Sequence, residues 1–190
     1  MKTRESGMPD ERLWSSFFSP ARTLAELGLR TGCGDVLDLG CGYGTFAVPA
    51  AALAGGIVYA LDIDPSMVQA TGAAAAARGL VNLRATLRDF VAQGSGLSDG
   101  AVAYVMLFNI LHCEHPEALL AEARRVLAPG GILAVMHWKR DPATPRGPSM
   151  AIRPTPEQCR QWVLAAGFAP LRPAPIDLPP FHYGLTFSKP

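Results

Sequence analysis

The sequence predicts a three-layer α/β sandwich, a doubly wound and mostly parallel sheet with helices on both faces. Three observations predict it. Strand-length apolar runs alternate with helix-length segments over residues 34–140, the pattern of βαβ units. The runs are continuous rather than alternating, as in Val102 to Phe108, so they read as strands buried on both faces. The first run ends in Asp38-Leu39-Gly40-Cys41-Gly42-Tyr43-Gly44. Glycines at alternate positions allow a sharp strand-to-helix turn and a close backbone approach to a ligand.

The elements follow in order. Residues 1–12 are polar. Leu13, Trp14, Phe17 and Phe18 form an aromatic cluster at helical spacing, either a core-facing helix or an N-terminal lid over a ligand. Ser19-Pro20 reads as N-cap and first position of a helix to about Leu27, stopped by Gly28. Val36 to Leu39 is the first strand. The helix after it spans Thr45 to about Leu53, and Pro49 makes it start bent or late. Ile57 to Ile63 is the second strand, and Asp64-Pro65 caps an alanine-rich helix closing at Arg78-Gly79. Leu80 to Thr86 is the third strand. Residues 92–100 are a loop by composition, and Val102 to Phe108 is the fourth strand.

Pro116 to Leu127 is amphipathic, with Leu119, Leu120, Ala123 and Val126 on its dry side. Pro129-Gly130-Gly131 turns into a fifth strand, Ile132 to His137. Eleven of the 17 prolines lie from Pro142 onward, so the last quarter is stiff and irregular. Within it, Thr155-Pro156-Glu157 opens a helix that Gly167 ends. Ala169 to Arg172 and Phe181 to Phe187 close as an antiparallel pair at the sheet edge.

Bulk properties narrow the function. A chain of 190 residues fits a single domain, residues 1–190, with residues 1–30 as a helical lid or extension and 138–156 as a proline-rich, substrate-side segment. A net charge of +1 gives no global footprint for nucleic acid or an anionic membrane. No apolar run reaches the ~20 residues of a membrane span. Cys33, Cys41, Cys113 and Cys159 form no CxxC pair, which points to a reducing, cytoplasmic setting. Their convergence in space is not legible.

In a doubly wound sheet the ligand lies beyond the carboxyl ends of the strands. Those ends carry Asp38 with the glycines, Asp62, Asp89-Phe90, Phe108-Asn109 with His112, and His137-Trp138. No lysine follows Gly44, which excludes a phosphate-binding P-loop. A carboxylate such as Asp62 suits a ribose diol. Asp89 can accept from an exocyclic amine, and Ile63 and Phe90 offer apolar faces to a purine. The rim suits an adenosine with a cationic or zwitterionic tail.

Five segments together, Asp38 to Gly44, Ala60 to Asp64, Asp89-Phe90, Asn109 to His112 and Val126 to Gly131, resemble the class I S-adenosylmethionine-dependent methyltransferases. The resemblance implies a seven-stranded sheet of order 3-2-1-4-5-7-6 with the last strand antiparallel. It implies S-adenosyl-L-methionine as co-substrate and no metal. The implied binding residues are Asp38, Gly40, Cys41, Gly42, Asp62, Ile63, Met67, Asp89, Phe90 and Phe108. The glycine loop would hold the methionine tail through its backbone, Asp62 the ribose, Ile63 and the Phe90 N–H the adenine ring, Asp89 its amine. The backbone near Phe108 would hold the methionine amine. The chain departs from the pattern at Ala103, where relatives often carry an aspartate.

His112 and His137 are the candidate catalytic bases, each with a purely structural role as the alternative. His112-Cys113-Glu114-His115 is set aside as a metal site, because its histidines, three apart, must share one face and Cys41 and Cys159 stand at no recognisable ligand spacing. Lys139, Arg140, Arg146 and Arg153 are either solvated loop charge or a basic wall selecting an anionic small molecule. The expected function is methylation of a small-molecule acceptor by a monomer or homodimer, without nucleic acid or membrane. The alternatives are a non-catalytic S-adenosylmethionine-binding protein and a nicotinamide-dependent oxidoreductase.

Overall fold

The computed structural model describes residues 9–141 and 143–190. Part of the polar N-terminal stretch, residues 1–8, and Pro142 lie outside the described residues. One sheet of eight strands organises the chain: β1 (Val36–Leu39), β2 (Val58–Asp62), β3 (Leu83–Leu87), β4 (Val102–Phe108), β5 (Leu127–Trp138), β6 (Ala169–Pro170), β7 (Ile176–Leu178) and β8 (His182–Ser188). The strand order is β3-β2-β1-β4-β5-β8-β6, with β7 also paired to β8. Strands β1 to β5 are parallel to their neighbours, whereas β8 runs antiparallel to β5. The expected order is therefore present, with one strand more than seven. The extra strand is β7, three residues that pair only with His182–Gly184.

Period-2 alternation splits the strands into two cores. Leu37, Leu39, Val105, Leu107, Leu133 and Val135 face one side, where they meet α6 (Pro116–Val126) and α7 (Pro156–Ala165). Val36, Tyr104, Met106, Ala134 and Met136 face the other, against α2 (Pro20–Glu26) and α3 (Ala47–Leu53). The strands carry apolar residues on both faces for that reason.

Element boundaries follow local chemistry. The α3 helix starts late, at Ala47, with Phe46 as N-cap. Pro49 then sits at its third residue, where the missing N–H has no helical acceptor anyway. Asp64 caps α4 (Pro65–Ala76) by accepting from Ser66 N at 2.8 Å. Thr155 and Gln158 form a reciprocal capping box at the start of α7. Ser19 precedes α2 but makes no side-chain cap there.

Three elements differ from the sequence expectation. Residues 90–93 form a short helix, α5 (Phe90–Gln93), capped by Asp89, at the start of the stretch expected to be loop. Pro129-Gly130-Gly131 does not precede β5 but lies within it: β5 starts at Leu127, and its pairing with β4 shifts register between Val102 and Tyr104. Gly130 and Gly131 bond to Lys189 across the sheet, so the turn becomes an irregular strand. At the N-terminus, α1 (Glu11–Ser15) is a separate five-residue helix whose Asp10 cap accepts from Arg12 N. Among the described residues no helix is long and apolar enough to cross a membrane.

Candidate active site

A cavity of about 590 Å³ opens at the carboxyl ends of β1, β2, β4 and β5, where strand order reverses between β1 and β4. That volume lies within the ~300–1,000 Å³ of small-molecule sites. Of the residues singled out in the sequence, Asp38, Gly40, Cys41, Gly42, Asp62, Ile63, Phe90, Phe108 and His112 line it. Met67, Asp89 and His137 do not. Met67 is buried in the first turn of α4. Asp89 caps α5 by accepting from Ala92 N at 3.0 Å, which turns Phe90 toward the cavity.

The glycine loop brings backbone close to the cavity. Gly40 has φ +82°, and a Cβ there would stand 3.1 Å from Ile110 Cδ1. Gly44 has φ +75°, and a Cβ would meet Thr71 Oγ1 at 2.9 Å. Both positions require glycine for conformation and space. The loop's N–H groups, however, are engaged within the fold. Gly40 N and Cys41 N donate to Leu61 O, and Gly44 N to Cys41 O. Gly42 N donates to Asp62 Oδ2 at 2.8 Å. The loop offers proximity rather than a row of free donors.

Two carboxylates dominate the electrostatics. Asp38 is 3% exposed, and no described residue makes a hydrogen bond or ion pair with its side chain. Burial, and then the charge of Asp62, push its pKa up to about 7. Burial also raises Asp62, against the backbone N–H donors of Asp64, Gly42 and Ile63. Cys41 stays a thiol, its pKa raised by burial and by Asp38.

The opposite flank is aromatic and histidine-rich. His112 Nδ1 lies 3.3 Å from His137 Nε2. His137 is fully buried, and its Nδ1 has no hydrogen-bond partner among the described residues. Burial lowers the pKa of both rings, helped by Arg153 at His112 and by His112 at His137. His182 is pushed down to about 3 by burial and by Lys139. Neutral imidazoles therefore back the cavity.

Trp14, Phe46, Phe108 and Trp138 complete its walls. Trp14 is fixed by an Nε1–H bond to Thr45 Oγ1 at 3.1 Å, and Tyr43 OH donates to Pro9 O at 2.8 Å. Sequence reading placed Trp14 in the aromatic cluster but could not choose its destination. It placed Asn109 at the rim without giving it a role, and missed Pro9, Ser149 and Ile152 as lining residues. Asn109, the polar residue directly after β4, has φ 56°. Cys41 and Cys113 share the cavity, while Cys33 and Cys159 lie elsewhere. Among the described residues no group of three or more His, Cys, Asp or Glu gathers for a metal. His115 points away to Glu117 at 3.0 Å.

A family model for the methyltransferase domain matches residues 36–131, the span from β1 into β5. Aklanonic acid methyltransferase DauC from Streptomyces sp. (strain C5) is 30% identical over 183 residues, covering 86% of this chain and 80% of that protein. The chain belongs to the S-adenosylmethionine-dependent methyltransferases. Nocamycin O-methyltransferase from Saccharothrix syringae is 38% identical over 119 residues, 60% of this chain but 42% of that protein. The solved structure of a SAM-dependent methyltransferase from Aquifex aeolicus superposes with a TM-score of 0.82 at 25% identity, covering 96% of this chain and 94% of the other. Family membership replaces the nicotinamide alternative.

Proposed function

We propose that this cavity binds S-adenosylmethionine beside a small-molecule acceptor and methylates the acceptor. One observation carries the reading. Asp38 is a buried carboxylate without a partner among the described residues, and it faces a cavity large enough for a nucleoside. Burial penalises the charged form of a carboxylate, and a cation beside it offsets that penalty. When bound, S-adenosylmethionine supplies that positive charge and an electrophilic methyl group on sulfur.

The chain's own residues then divide the work. Asp38 faces the donor's positive end. Asp62 accepts from the ribose hydroxyls, because its two oxygens, which take the backbone N–H groups of Gly42, Ile63 and Asp64, still retain lone pairs. Ile63 and Phe90 flank the adenine, and Gly40, Cys41, Gly42 and Phe108 shape the tail's channel. Asp89 enters as the cap that holds Phe90, and Met67 as packing behind the loop. His112, neutral and on the aromatic flank, takes a proton from the acceptor's nucleophile when it has one to lose. His137 holds the His112 ring. The N-terminal segment carrying Pro9 and Trp14 acts as a lid that excludes water, which favours methyl transfer from a charged sulfur.

The acceptor side of this reading is supported by relatives whose names specify small molecules, aklanonic acid and nocamycin. Calorimetry tests the co-substrate. S-adenosylmethionine and S-adenosylhomocysteine are expected to bind with Kd values on the order of micromolar, and NADH not at all. Tight NADH binding with no response to S-adenosylhomocysteine would overturn the reading. Turnover of labelled donor with a panel of small phenols, enols and acids separates an enzyme from a silent binder.

A further inference from the structure

The cavity is electrically lopsided. Asp38 and Asp62 stand on the donor side, while Arg146, Gly147, Pro148, Ser149 and Ile152 form part of the wall on the acceptor side. That wall is wrapped around Arg153. Arg153 is only 5% exposed, and its guanidinium is bonded throughout to uncharged oxygens. Nε donates to Pro148 O at 3.2 Å. Nη1 donates to Lys139 O at 2.7 Å and Thr144 Oγ1 at 2.6 Å. Nη2 donates to Arg146 O at 3.1 Å and Pro148 O at 2.8 Å.

Buried charges are ordinarily paired. Here the hydrogen bonds satisfy every donor, yet no described carboxylate forms an ion pair with Arg153. The surroundings add to its charge instead of cancelling it. Arg140 acts on it as a like charge, and Arg146 lines the cavity itself. Lys139 is the exception, held by Asp177 at 2.6 Å. Beside this positive wall lies the Trp138 ring, 6.0 Å below the guanidinium. Trp14, Phe46 and Phe108 continue the aromatic lining. In a partly enclosed, low-dielectric site an uncompensated cation acts over several ångströms.

We propose that the acceptor is a planar aromatic acid, its anionic group held at Arg146 in the field of Arg153 and its ring body against the Trp14–Trp138 wall. This rests on the methyltransferase reading of the same cavity and adds the charge and shape of the acceptor. Arg153 is a positioning residue here: it shapes the 139–153 segment and contributes field, while Arg146 makes the contact.

The test uses the full chain loaded with S-adenosylhomocysteine, titrated with 2-naphthoate and with 2-naphthamide, its uncharged analogue. The carboxylate is expected to bind roughly ten-fold tighter than the amide. Arg146→Gln is expected to remove most of that preference while leaving the amide, S-adenosylhomocysteine binding and the thermal midpoint unchanged, because Arg146 is exposed. Equal binding of the two probes, or a preference that survives Arg146→Gln, would overturn the proposal. Loading with S-adenosylhomocysteine is itself measured first. Failure there defeats the methyltransferase reading, whereas successful loading without a carboxylate preference defeats only the acceptor class.

Discussion

Asp38 is held at a cost to the folded state. Burial raises its pKa from 3.8, the ordinary value for an aspartate, to about 7 in the fold. Below pH ~4 the carboxyl is protonated in both states and the shift has no effect. As pH rises toward 7 the unfolded chain ionises while the fold resists, so stability falls, by up to roughly 2–4 kcal/mol. Asp38→Asn is therefore expected to raise the melting temperature of the ligand-free protein at pH 8 and to change it little at pH 4. The same substitution is expected to weaken S-adenosylmethionine binding by roughly 2 kcal/mol or more, since a charged partner is lost. In the wild type, affinity should rise with pH through about 7 and binding should release a proton, measurable by calorimetry in buffers of different ionisation heat. No proton release would mean that Asp38 does not face the donor's charge.

Residue types at this scale were legible where a motif fixed them. Asp62 and the Gly40–Gly44 loop sit where the sequence put them. His137 was not legible as a buried group. It lies at the end of β5, but whether a strand-end side chain faces the cavity or the core depends on strand parity and on what packs there. Tyr183 is its cross-strand partner. Arg153 read as either solvated loop charge or part of a basic wall, because nothing local announces that four neutral oxygens will enclose it.

The α1 helix shows how elements depend on their surroundings. Five residues are too few to hold a helix alone in water, so Asp10 capping and the Trp14–Thr45 bond fix it in place. Trp14→Ala is expected to accelerate amide exchange over residues 9–18 and to weaken S-adenosylhomocysteine binding roughly three- to ten-fold, a loss of about 1 kcal/mol. Unchanged exchange would show that Trp14 does not secure the segment. The long elements were readable: β4 spans the residues that its apolar run marks, and α7 starts at Thr155-Pro156. The short ones were not. One turn of helix at α5 has no periodicity to read, and Ile176–Leu178 becomes β7 only because β8 presents an open edge. Pro129-Gly130-Gly131 carries turn chemistry, yet pairing with Lys189 carries β5 through it.

At the scale of the molecule, the sheet divides the apolar residues into two cores and leaves one crevice where strand order reverses. A ligand seated there binds only the folded state. S-adenosylhomocysteine at about 100 times its Kd is expected to add roughly 2.7 kcal/mol of stability. For a domain of this size that is about 5–10 °C in melting temperature, with no shift from NADH. A scan that shows no shift with S-adenosylhomocysteine would place the co-substrate elsewhere.

The sequence by itself determined the three-layer fold, the path of β1 to β5, the glycine loop and the carboxylates at the strand ends. These depend on local chemistry: continuous apolar runs, caps, and glycines where the backbone must turn. Only the tertiary structure decided which rim residues share the cavity, that the N–H groups of Gly40, Cys41, Gly42 and Gly44 serve the fold, that two histidines meet, and that Arg153 is buried with no counter-ion among the described residues. Each of these joins residues far apart in the chain. The parity of strands and the closure of the N-terminal and proline-rich segments over the sheet set them, and neither is written in any local window.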